Sequence, residues 1–524
     1  MIDRPGQAAI DASTAQPERA RLKHPEPSLP PRLPHTAADP PRGPDQPADR
    51  RRLALFAMLG VSAGLPFAMF SSVLQLRLMA HGAGLAVVGF FVWVTLLPTA
   101  KFAWAPLMDR YSVPGFGRWG HRMGWIMLSQ AGIAASALLL ALDASDRDVA
   151  RTALWAVLLA FWTTTLEVSA DAWRIEQAPT ETEQGPLVAA NVWGYRTAMV
   201  AAGSGALILA DSRGWSAAYL AVFVVMTLPL PVLIAMRPER DRRLGDLARG
   251  VATAIALYAG VAALFASVGT ALLAAARALG MARSSNVTPV VLAICFLPFV
   301  LMALAIPRIR RLPAQARLRR SPSFGPFIDF FWRFDRGAIA ILLFVSLYRM
   351  GDVLALALSK PLVRDVGYSL TAIGTADVAV ALAASMAGVA LAGWLATRWS
   401  QAWTLAAGAL LAAIGNWGFV WLFHLPPTAT ALYLTTAADQ FGNGFAGTVF
   451  VVYLSLLVNP RHPAAQFAFL SGFAFFLPRL LGGASGTIQG AVGYDGFFLL
   501  SGTLSLLAIL LLPLVIRLRP REAA

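Results

Sequence analysis

Four charged residues end a long apolar segment near the first third of the chain. The stretch 163–176 reads TTTLEVSADAWRIE and follows the apolar run 152–162. Glu167 and Asp171 are spaced i, i+4 and share one helix face, whereas Asp171 and Arg174 are spaced i, i+3, which permits an ion pair. A charge at mid-bilayer costs about 2.5–3.5 kcal/mol on insertion scales, so each is a functional candidate. Two roles fit equally: an ion-pair network that latches a gate, or direct contact with a substrate or a proton.

A second group of charged and polar residues lies near the middle of other apolar segments. Arg side chains match carboxylates with two parallel hydrogen bonds, so this group suggests a cavity wall for an anionic ligand. The alternative is mutual neutralisation, of Arg349 by Asp352 and of Arg479 by Asp439. The candidates for substrate binding are Arg196, Arg349, Arg479, Asn443, Gln440 and Tyr195.

Embedded carboxylates are also candidates for moving a proton. A carboxylate that loses its hydration binds a proton more readily, so an embedded carboxylate can take up and release a proton. The candidates, in order of preference, are Asp352, Asp439 and Glu167.

The elements that position these residues are membrane helices. The chain has 524 residues, of which 57% are apolar and 14% charged. Apolar runs of about 20 residues recur along it, and each is long enough to cross a bilayer. A membrane β-barrel would show short alternating segments instead. The net charge of +15 comes from Arg in loops and tails beside apolar runs, which indicates membrane orientation rather than nucleic-acid binding.

Other chemistry finds little support in the sequence. The six His residues lack metal-ligand spacing, there is no Walker A motif, and the single Cys295 cannot form an internal disulfide. We therefore expect no metal and no cofactor. Glu167 and Asp171 lie one turn apart on one helix rather than across a cleft, which disfavours a glycosidase-like enzyme. A sensor that does not transport is a further alternative.

The hydropathy pattern predicts an all-α polytopic protein with about 14 spans, arranged as six, two and six. Residues 1–50 are rich in Pro and charge and predict a disordered tail. A basic linker, 237–336, would carry the middle pair, which could instead be re-entrant or lie on the membrane surface. The halves would be 51–236 and 337–516, with a tail at 517–524. The predicted spans are 53–77, 85–107, 122–142, 152–173, 187–210, 215–236, 250–275, 287–307, 337–358, 371–397, 402–423, 428–457, 464–491 and 494–516.

Arg-rich loops alternate with loops that hold fewer basic residues. By the positive-inside rule this places both termini in the cytoplasm. Two six-helix halves joined by a long middle region are the arrangement of major facilitator transporters, which bind substrate between the halves near the midplane.

Short motifs along residues 53–516 carry a more specific resemblance. They are KFAWAPLMDRY at 101–111, GFGRWGHRMGW at 115–125, DAWRIE at 171–176, GYRTAM at 194–199, YRMGD at 348–352 and AQFAFLS at 465–471. Their order and spacing resemble those of the AmpG-type permeases of the major facilitator superfamily. The resemblance includes the basic, Gly-rich loop that serves as a cytoplasmic gate. The expected gating residues are Asp109, Arg110, Arg118, Asp171, Arg174, Glu176 and Lys101, although Lys101 could simply extend toward the membrane surface.

The resemblance implies a function and a location. AmpG-type permeases import anhydromuropeptides, which are N-acetylglucosamine–anhydro-N-acetylmuramyl peptides, across the bacterial inner membrane with the proton gradient, for peptidoglycan recycling. The expected partners are thus an anionic glycopeptide, protons and the lipid bilayer. This sequence departs from the family where Leu166-Glu167 replaces Gln-Asp and where Asp439 replaces Glu. A related branch carries siderophores, so a permease for a siderophore or another anionic small molecule is the alternative.

Overall fold

The computed structural model describes most of the two predicted halves. Within it the chain is helical, and the described residues contain no strand. The predicted tail 1–50, apart from Arg50, and the predicted middle spans 250–275 and 287–307, apart from 304–307, lie outside them. The described residues are 50–80, 93–113, 120–143, 149–236, 304–309, 311–313, 316–317, 319–321, 323–482, 485–518 and 520.

Six helical segments form the first half. The first and second are interrupted, because a π-helical turn, Met69–Val73, and a 3₁₀ helix, Trp93–Ala103, precede the short helices that complete them. The α-helices are α1 (Arg50–Ala68), α2 (Leu74–Ala80), α3 (Ala105–Arg110), α4 (His121–Leu142), α5 (Val149–Gln177), α6 (Glu181–Arg213), α7 (Trp215–Thr227) and α8 (Pro229–Met236).

An amphipathic helix, α9 (Gly325–Phe334), precedes the second half. A π-helical turn, Ala376–Ala381, joins two helices into one segment of that half. The helices are α10 (Gly337–Asp365), α11 (Leu370–Thr375), α12 (Leu382–Leu395), α13 (Gln401–Phe423), α14 (Ala429–Leu457), α15 (Pro463–Gly482) and α16 (Ser485–Ile516).

Eight helical segments of the described part are long and apolar enough to cross a membrane. The predicted membrane fold is thereby confirmed for this part of the chain. α5, α6 and α15 are not among these eight segments. α5 and α6 carry Glu167, Asp171 and Arg196, whereas Arg349, Asp352 and Asp439 lie on α10 and α14, which are among the eight.

Two glycines mark equivalent turns in the two halves. Gly214, between α6 and α7, has φ 86° and ψ 166°, and Gly493, inside the helical run of α16, has φ 72° and ψ 178°. Such positive φ values suit glycine because it has no Cβ. The chain therefore changes direction at Gly493, which agrees with the predicted boundary between spans 464–491 and 494–516.

Short connections make successive segments run in opposite directions, so the bundle has two ends. The lower end holds the junctions 110–121, 177–181, 395–401 and 457–463. The upper end holds the junctions 142–149, 213–215, 365–370 and 423–429.

Glycines let the first and fifth segments of the first half pack backbone to backbone. A Cβ at Gly60 would lie 2.0 Å from the carbonyl oxygen of Asn191, and one at Gly194 would lie 1.9 Å from that of Ala57. Small residues at helix crossings allow such close approach in membranes. This packing fixes α6, and with it Tyr195 and Arg196, against α1.

A buried arginine that the sequence analysis did not single out ties the upper end of the first half. Arg77 is fully buried and donates hydrogen bonds to the carbonyl oxygens of Leu140, over 2.8 Å, and Asp143. Its guanidinium also lies over the ring of Tyr219, 4.9 Å from the centroid. Removing the side chain would leave two carbonyl groups without their donor.

Candidate functional site

At the lower end, a carboxylate of the first half caps a helix of the second half. Asp109, in the last turn of α3, accepts hydrogen bonds from the backbone N–H groups of Ala464 over 3.0 Å and of Ala465 over 2.8 Å. These residues begin α15, and the exposed N–H groups of a helix N-terminus favour a negative charge. Asp109 therefore connects the two halves through main-chain atoms.

The capping carboxylate is held in place by a buried arginine. Arg122 donates to Asp109 over 2.7 Å and to Glu176 over 2.7 Å, and it also donates to the carbonyl oxygen of Met108 over 2.7 Å. The Arg122 and Asp109 side chains are each only 4% exposed. Arg110, by contrast, is exposed. The predicted gating residue Arg118 lies outside the described residues.

A second connection between the halves starts from α5. Arg174 is 1% exposed and donates to Gln184 over 2.5 Å, to Asp171 over 2.9 Å and to the hydroxyl of Ser455 on α14 over 3.0 Å. Its guanidinium also lies over Phe467 of α15, 5.6 Å from the ring centroid. The ion pair that the i, i+3 spacing permits is thus formed, and the same Arg reaches the other half.

Apolar contacts at the lower end exclude water around these bonds. One buried cluster joins the two halves, with Trp104 and Met108 from the first and Ala464 and Ala468 from the second. Elsewhere at this end, a Cβ at Gly393 of α12 would lie 2.6 Å from the Cβ of Ala189 on α6. The halves are therefore closely packed at the lower end.

One turn further into the bundle, Lys101 and Glu167 face each other. Their charged atoms are 4.0 Å apart, and the Lys101 ammonium lies 5.9 Å from the ring centroid of Phe467 on α15. Lys101 is 8% exposed, so it is buried rather than extended to a membrane surface. Arg479 on α15 and Tyr195 on α6 interact electrostatically with each other, and Arg479 also with Glu167.

Arg196 forms the connection nearest to the middle of the bundle. It donates to the hydroxyl of Ser385 on α12 and, over 2.8 Å, to the amide oxygen of Asn443 on α14. A neighbouring residue, Trp193, donates to the carbonyl oxygen of Met386 over 2.9 Å. A single Arg on α6 therefore holds two helices of the opposite half.

A buried ion pair lies across from this bridge. Arg349 donates to Asp352 over 2.6 Å, and the two side chains are 10% and 4% exposed. The guanidinium of Arg349 lies 5.7 Å from the ring centroid of Phe475, and that of Arg479 lies 5.6 Å from the same ring. Of the two neutralising pairs considered from the sequence, Arg349 with Asp352 is formed, whereas Arg479 interacts with Glu167 and Tyr195.

Asp439 is the remaining carboxylate of this group. It accepts a hydrogen bond from the neighbouring Gln440 over 2.8 Å and is partly buried. It lies within electrostatic range of Asp352, Arg196 and Asp377. The candidate residues of α5, α6, α10, α14 and α15 thus gather where the halves meet.

The structure also shows partners that the sequence analysis missed. Ser385, Ser455 and the backbone of Ala464 complete the contacts of predicted residues, and Arg122 organises the lower end. Arg122 stands in the quoted motif GFGRWGHRMGW, so the motif was a signal for it. No pattern in the sequence distinguishes the two serines. Among the described residues, no cluster of His, Cys, Asp and Glu is suited to hold a metal ion.

Comparisons with known proteins identify relatives over most of the chain, although no family model matches it. A putative transporter, AmpG 4 of Rickettsia conorii, is 25% identical over 468 residues, which cover 88% of this chain and 96% of the relative. The anhydromuropeptide permease of Escherichia coli K12 is 28% identical over 468 residues, which cover 88% of this chain and 79% of the relative.

Solved structures of major facilitator transporters share the fold. The proton:xylose symporter XylE bound to 6-bromo-6-deoxy-D-glucose matches with a TM-score of 0.57 at 14% identity, covering 88% of this chain and 94% of that chain. The human organic anion transporter MFSD10 matches with a TM-score of 0.56 at 15% identity, covering 89% and 100%. These relatives and neighbours are transporters rather than enzymes. The chain is therefore a multi-pass membrane transporter with the major facilitator fold, related to the AmpG-type permeases.

Proposed function

We propose that this transporter imports anhydromuropeptides into the bacterial cytoplasm together with protons. The observation that carries the proposal is the Arg196 bridge, because it connects the two halves beside the carboxylates Asp352 and Asp439. A change in the charge of either carboxylate alters the field at Arg196. The protonation state and the contact between the halves are thereby linked.

The cargo class follows from the charged residues and the relatives. Arg196, Arg349 and Arg479 provide positive groups between the halves, and guanidinium groups pair well with carboxylates. Anhydromuropeptides carry several carboxylates, and the Escherichia coli relative bears the name anhydromuropeptide permease. Substrate carboxylates would take over donors that Asp352 and Asn443 now occupy.

The transport cycle uses the lower end as one gate. In this structure, Asp109 and Arg174 hold the halves together there. Opening this end requires their hydrogen bonds to Ala464, Ala465 and Ser455 to break. Charges in the predicted loops favour a cytoplasmic lower end with both termini on that side, in the inner membrane. Closure of the lower end then suits a state that receives cargo from outside.

Uptake in cells that lack their own permease tests this proposal. A labelled N-acetylglucosamine–anhydro-N-acetylmuramyl peptide is supplied with and without a protonophore. We expect accumulation that the protonophore abolishes, and Arg196→Gln should lower it at least tenfold. Arg213→Gln is the matched control, since Arg213 is an exposed residue at the upper end of the same helix, and it should stay within twofold.

The same cells separate the alternatives. Absence of peptide uptake, with membrane insertion verified, would refute the muropeptide proposal. Uptake of a labelled ferric siderophore in that case would identify the alternative cargo. Accumulation that the protonophore leaves unchanged would retain the cargo and refute proton coupling.

A further inference from the structure

A cavity in the second half opens toward the upper end and reaches the carboxylate of Asp439. It has a volume of about 60 Å³, which is room for several water molecules. Every residue that lines it belongs to α10, α11, the following π-helical turn, α13 or α14. The cavity is therefore built by the second half alone, whereas the Arg196 bridge lies between the halves.

Helix periodicity shows where the cavity leads. Along α14, its lining residues Leu432, Thr436, Asp439 and Gln440 fall on one face. The eight residue-to-residue steps from Leu432 to Gln440 correspond to a depth of about 12 Å at a rise of 1.5 Å per residue. The next residue of this face is Asn443, which holds Arg196.

The lining of α10 follows the same rule. Val363, Lys360, Ser359 and Leu356 line the cavity, and they succeed one another inward from the upper end. The next position on that face, one turn deeper, is Asp352. Both walls of the cavity therefore continue toward the two carboxylates nearest the Arg196 bridge.

An ion pair stands at the mouth of the cavity. Lys360 and Asp377 are 2.5 Å apart, and their side chains are 64% and 42% exposed. Both residues line the cavity. The mouth is thus polar and accessible, while the floor at Asp439 is partly buried. Between the mouth and the floor, polar side chains such as Ser359 and Thr436 alternate with apolar ones such as Leu356 and Leu432. A cavity of this size admits water molecules and is too narrow for a glycopeptide.

We propose that this cavity is the access path and binding site of the coupling proton, separate from the path of the cargo. A hydronium ion at the floor transfers a proton to the Asp439 carboxylate, which forms the new O–H bond and leaves a water molecule. The charged groups that face Asp439 are Asp352, Asp377 and Arg196, with Lys360 at the mouth. Neutral Asp439 no longer attracts the guanidinium of Arg196, so the hydrogen bonds of Arg196 to Ser385 and Asn443 change. This inference rests on the proton coupling proposed above.

Blocking the cavity after the protein has folded tests the inference. Thr436 lines the cavity midway along its α14 wall, and the chain has a single cysteine, Cys295. Thr436→Cys in a Cys295→Ser background is therefore modified with a bulky neutral methanethiosulfonate. Leu434→Cys is the matched control, because Leu434 is 57% exposed on the same helix and does not line the cavity.

Two measurements follow on reconstituted protein. Infrared spectroscopy after an external pH drop follows the carboxyl band that Asp439→Asn removes, and this measurement needs no cargo. We expect modification of Thr436→Cys to slow the appearance of this carboxyl band at least tenfold. Modification of Leu434→Cys should leave the rate of its appearance within twofold of the unmodified protein. Modified Thr436→Cys should also lose protonophore-sensitive accumulation of the labelled glycopeptide while retaining its exchange across the membrane.

The outcomes are distinguishable from failure of the proposed function. Unmodified protein that transports no glycopeptide refutes the cargo, while the infrared measurement still decides the proton path. An unchanged band rate after blocking, absence of an Asp439 band, a response to sodium instead of acid, or failure of the reagent to reach Thr436→Cys would each overturn the inference. Loss of exchange together with accumulation would place the cavity on the cargo path and overturn it as well.

Discussion

Asp109 and Ala464 join the two halves of the transporter through a side chain and a backbone amide. The carboxylate of Asp109 accepts the Ala464 N–H over 3.0 Å, at the first turn of α15. Because the donors are main-chain groups, no exchange of the Ala464 side chain except to proline removes the bond. The contact is controlled from the first half, where Arg122 holds the carboxylate.

Neutralising this carboxylate is expected to weaken the lower gate. Asp109→Asn removes the negative charge at the helix N-terminus and one partner of the buried Arg122. Removing one partner of a buried ion pair costs about 3–5 kcal/mol of stability. The cost is smaller here because Arg122 keeps its ion pair with Glu176. We expect a lower thermal denaturation temperature in detergent and faster labelling of a cysteine placed at Ala468, which lies in the buried cluster of this end.

The control for Asp109→Asn is Asp495→Asn at the upper end. Asp495 pairs with His424, and the two side chains are 42% and 63% exposed. Exposed pairs contribute about 0–1 kcal/mol, so this variant should behave as the parent. Equal effects of both substitutions would contradict a gating role for Asp109.

Adding a methyl group at the crossing of α6 and α12 should favour an open lower end. A Cβ at Gly393 would lie 2.6 Å from the Cβ of Ala189 and 3.2 Å from the carbonyl oxygen of Gly185. Gly393→Ala therefore pushes the halves apart at a point where they are closely packed. We expect at least a threefold change in exchange rate and increased accessibility of the lower end, measured by cysteine labelling.

Gly203→Ala is the matched substitution on α6. A Cβ there would have no neighbour within 4 Å, so it adds a methyl group without a collision. Replacing Gly by Ala inside a helix stabilises by about 0.5–1 kcal/mol. This variant should keep its exchange rate, and a change as large as that of Gly393→Ala would point to an effect of helix propensity instead of packing.

Asp352→Asn should abolish proton-coupled accumulation while leaving exchange possible. The substitution keeps the size of the side chain but removes its charge, and Arg349 then loses its 2.6 Å partner. The double variant Arg349→Gln/Asp352→Asn removes the unpaired charge and separates misfolding from loss of coupling. Continued concentration of substrate against its gradient by Asp352→Asn would show that proton coupling does not require the charge of Asp352.

The loop before α15 is expected to make the protein sensitive to acid. Burial lowers the pKa of His462, which lies outside the membrane-spanning helices; Arg461 lowers it further, whereas Asp109 and Asp329 oppose the shift. The folded protein therefore binds fewer protons at this site than the unfolded chain. Its contribution to stability is present above the ordinary pKa of 6.5 and is lost as the pH falls through and below that value.

Thermal denaturation measured from pH 8 to pH 5 checks the contribution of His462. His462→Gln cannot titrate, so it should reduce the fall in denaturation temperature below about pH 6.5. His424→Gln is the control, since His424 is 63% exposed at the upper end. An identical pH profile for His462→Gln and the parent would contradict the prediction.

Part of the site was predictable because its partners share one helix. The spacing of Asp171 with Arg174 and of Arg349 with Asp352 is one helical turn, and both ion pairs are formed. The eight span-like segments of the described part were predictable for a related reason, because a bilayer requires about 20 apolar residues per crossing and the hydropathy pattern shows such runs.

Contacts between the halves were not predictable from spacing. Arg174 and Ser455 are 281 residues apart, and their 3.0 Å hydrogen bond depends on how α5 packs against α14. Arg479 could be assigned to Asp439 from charge alone, yet it interacts with Glu167 and Tyr195. Complementary charges indicate which ion pairs can form, whereas helix packing determines which charged residues lie close to each other.

The sequence by itself therefore determined the membrane class, the apolar spans and the local ion pairs, because bilayer thickness and helix pitch act on neighbouring residues. The tertiary structure alone decided that Asp109 caps α15, that Arg196 bridges α6 to α12 and α14, and that a cavity leads to Asp439. These features depend on the relative position of whole helices. That position is set by many small packing contacts, such as those at Gly185 and Gly393, which no single stretch of sequence encodes.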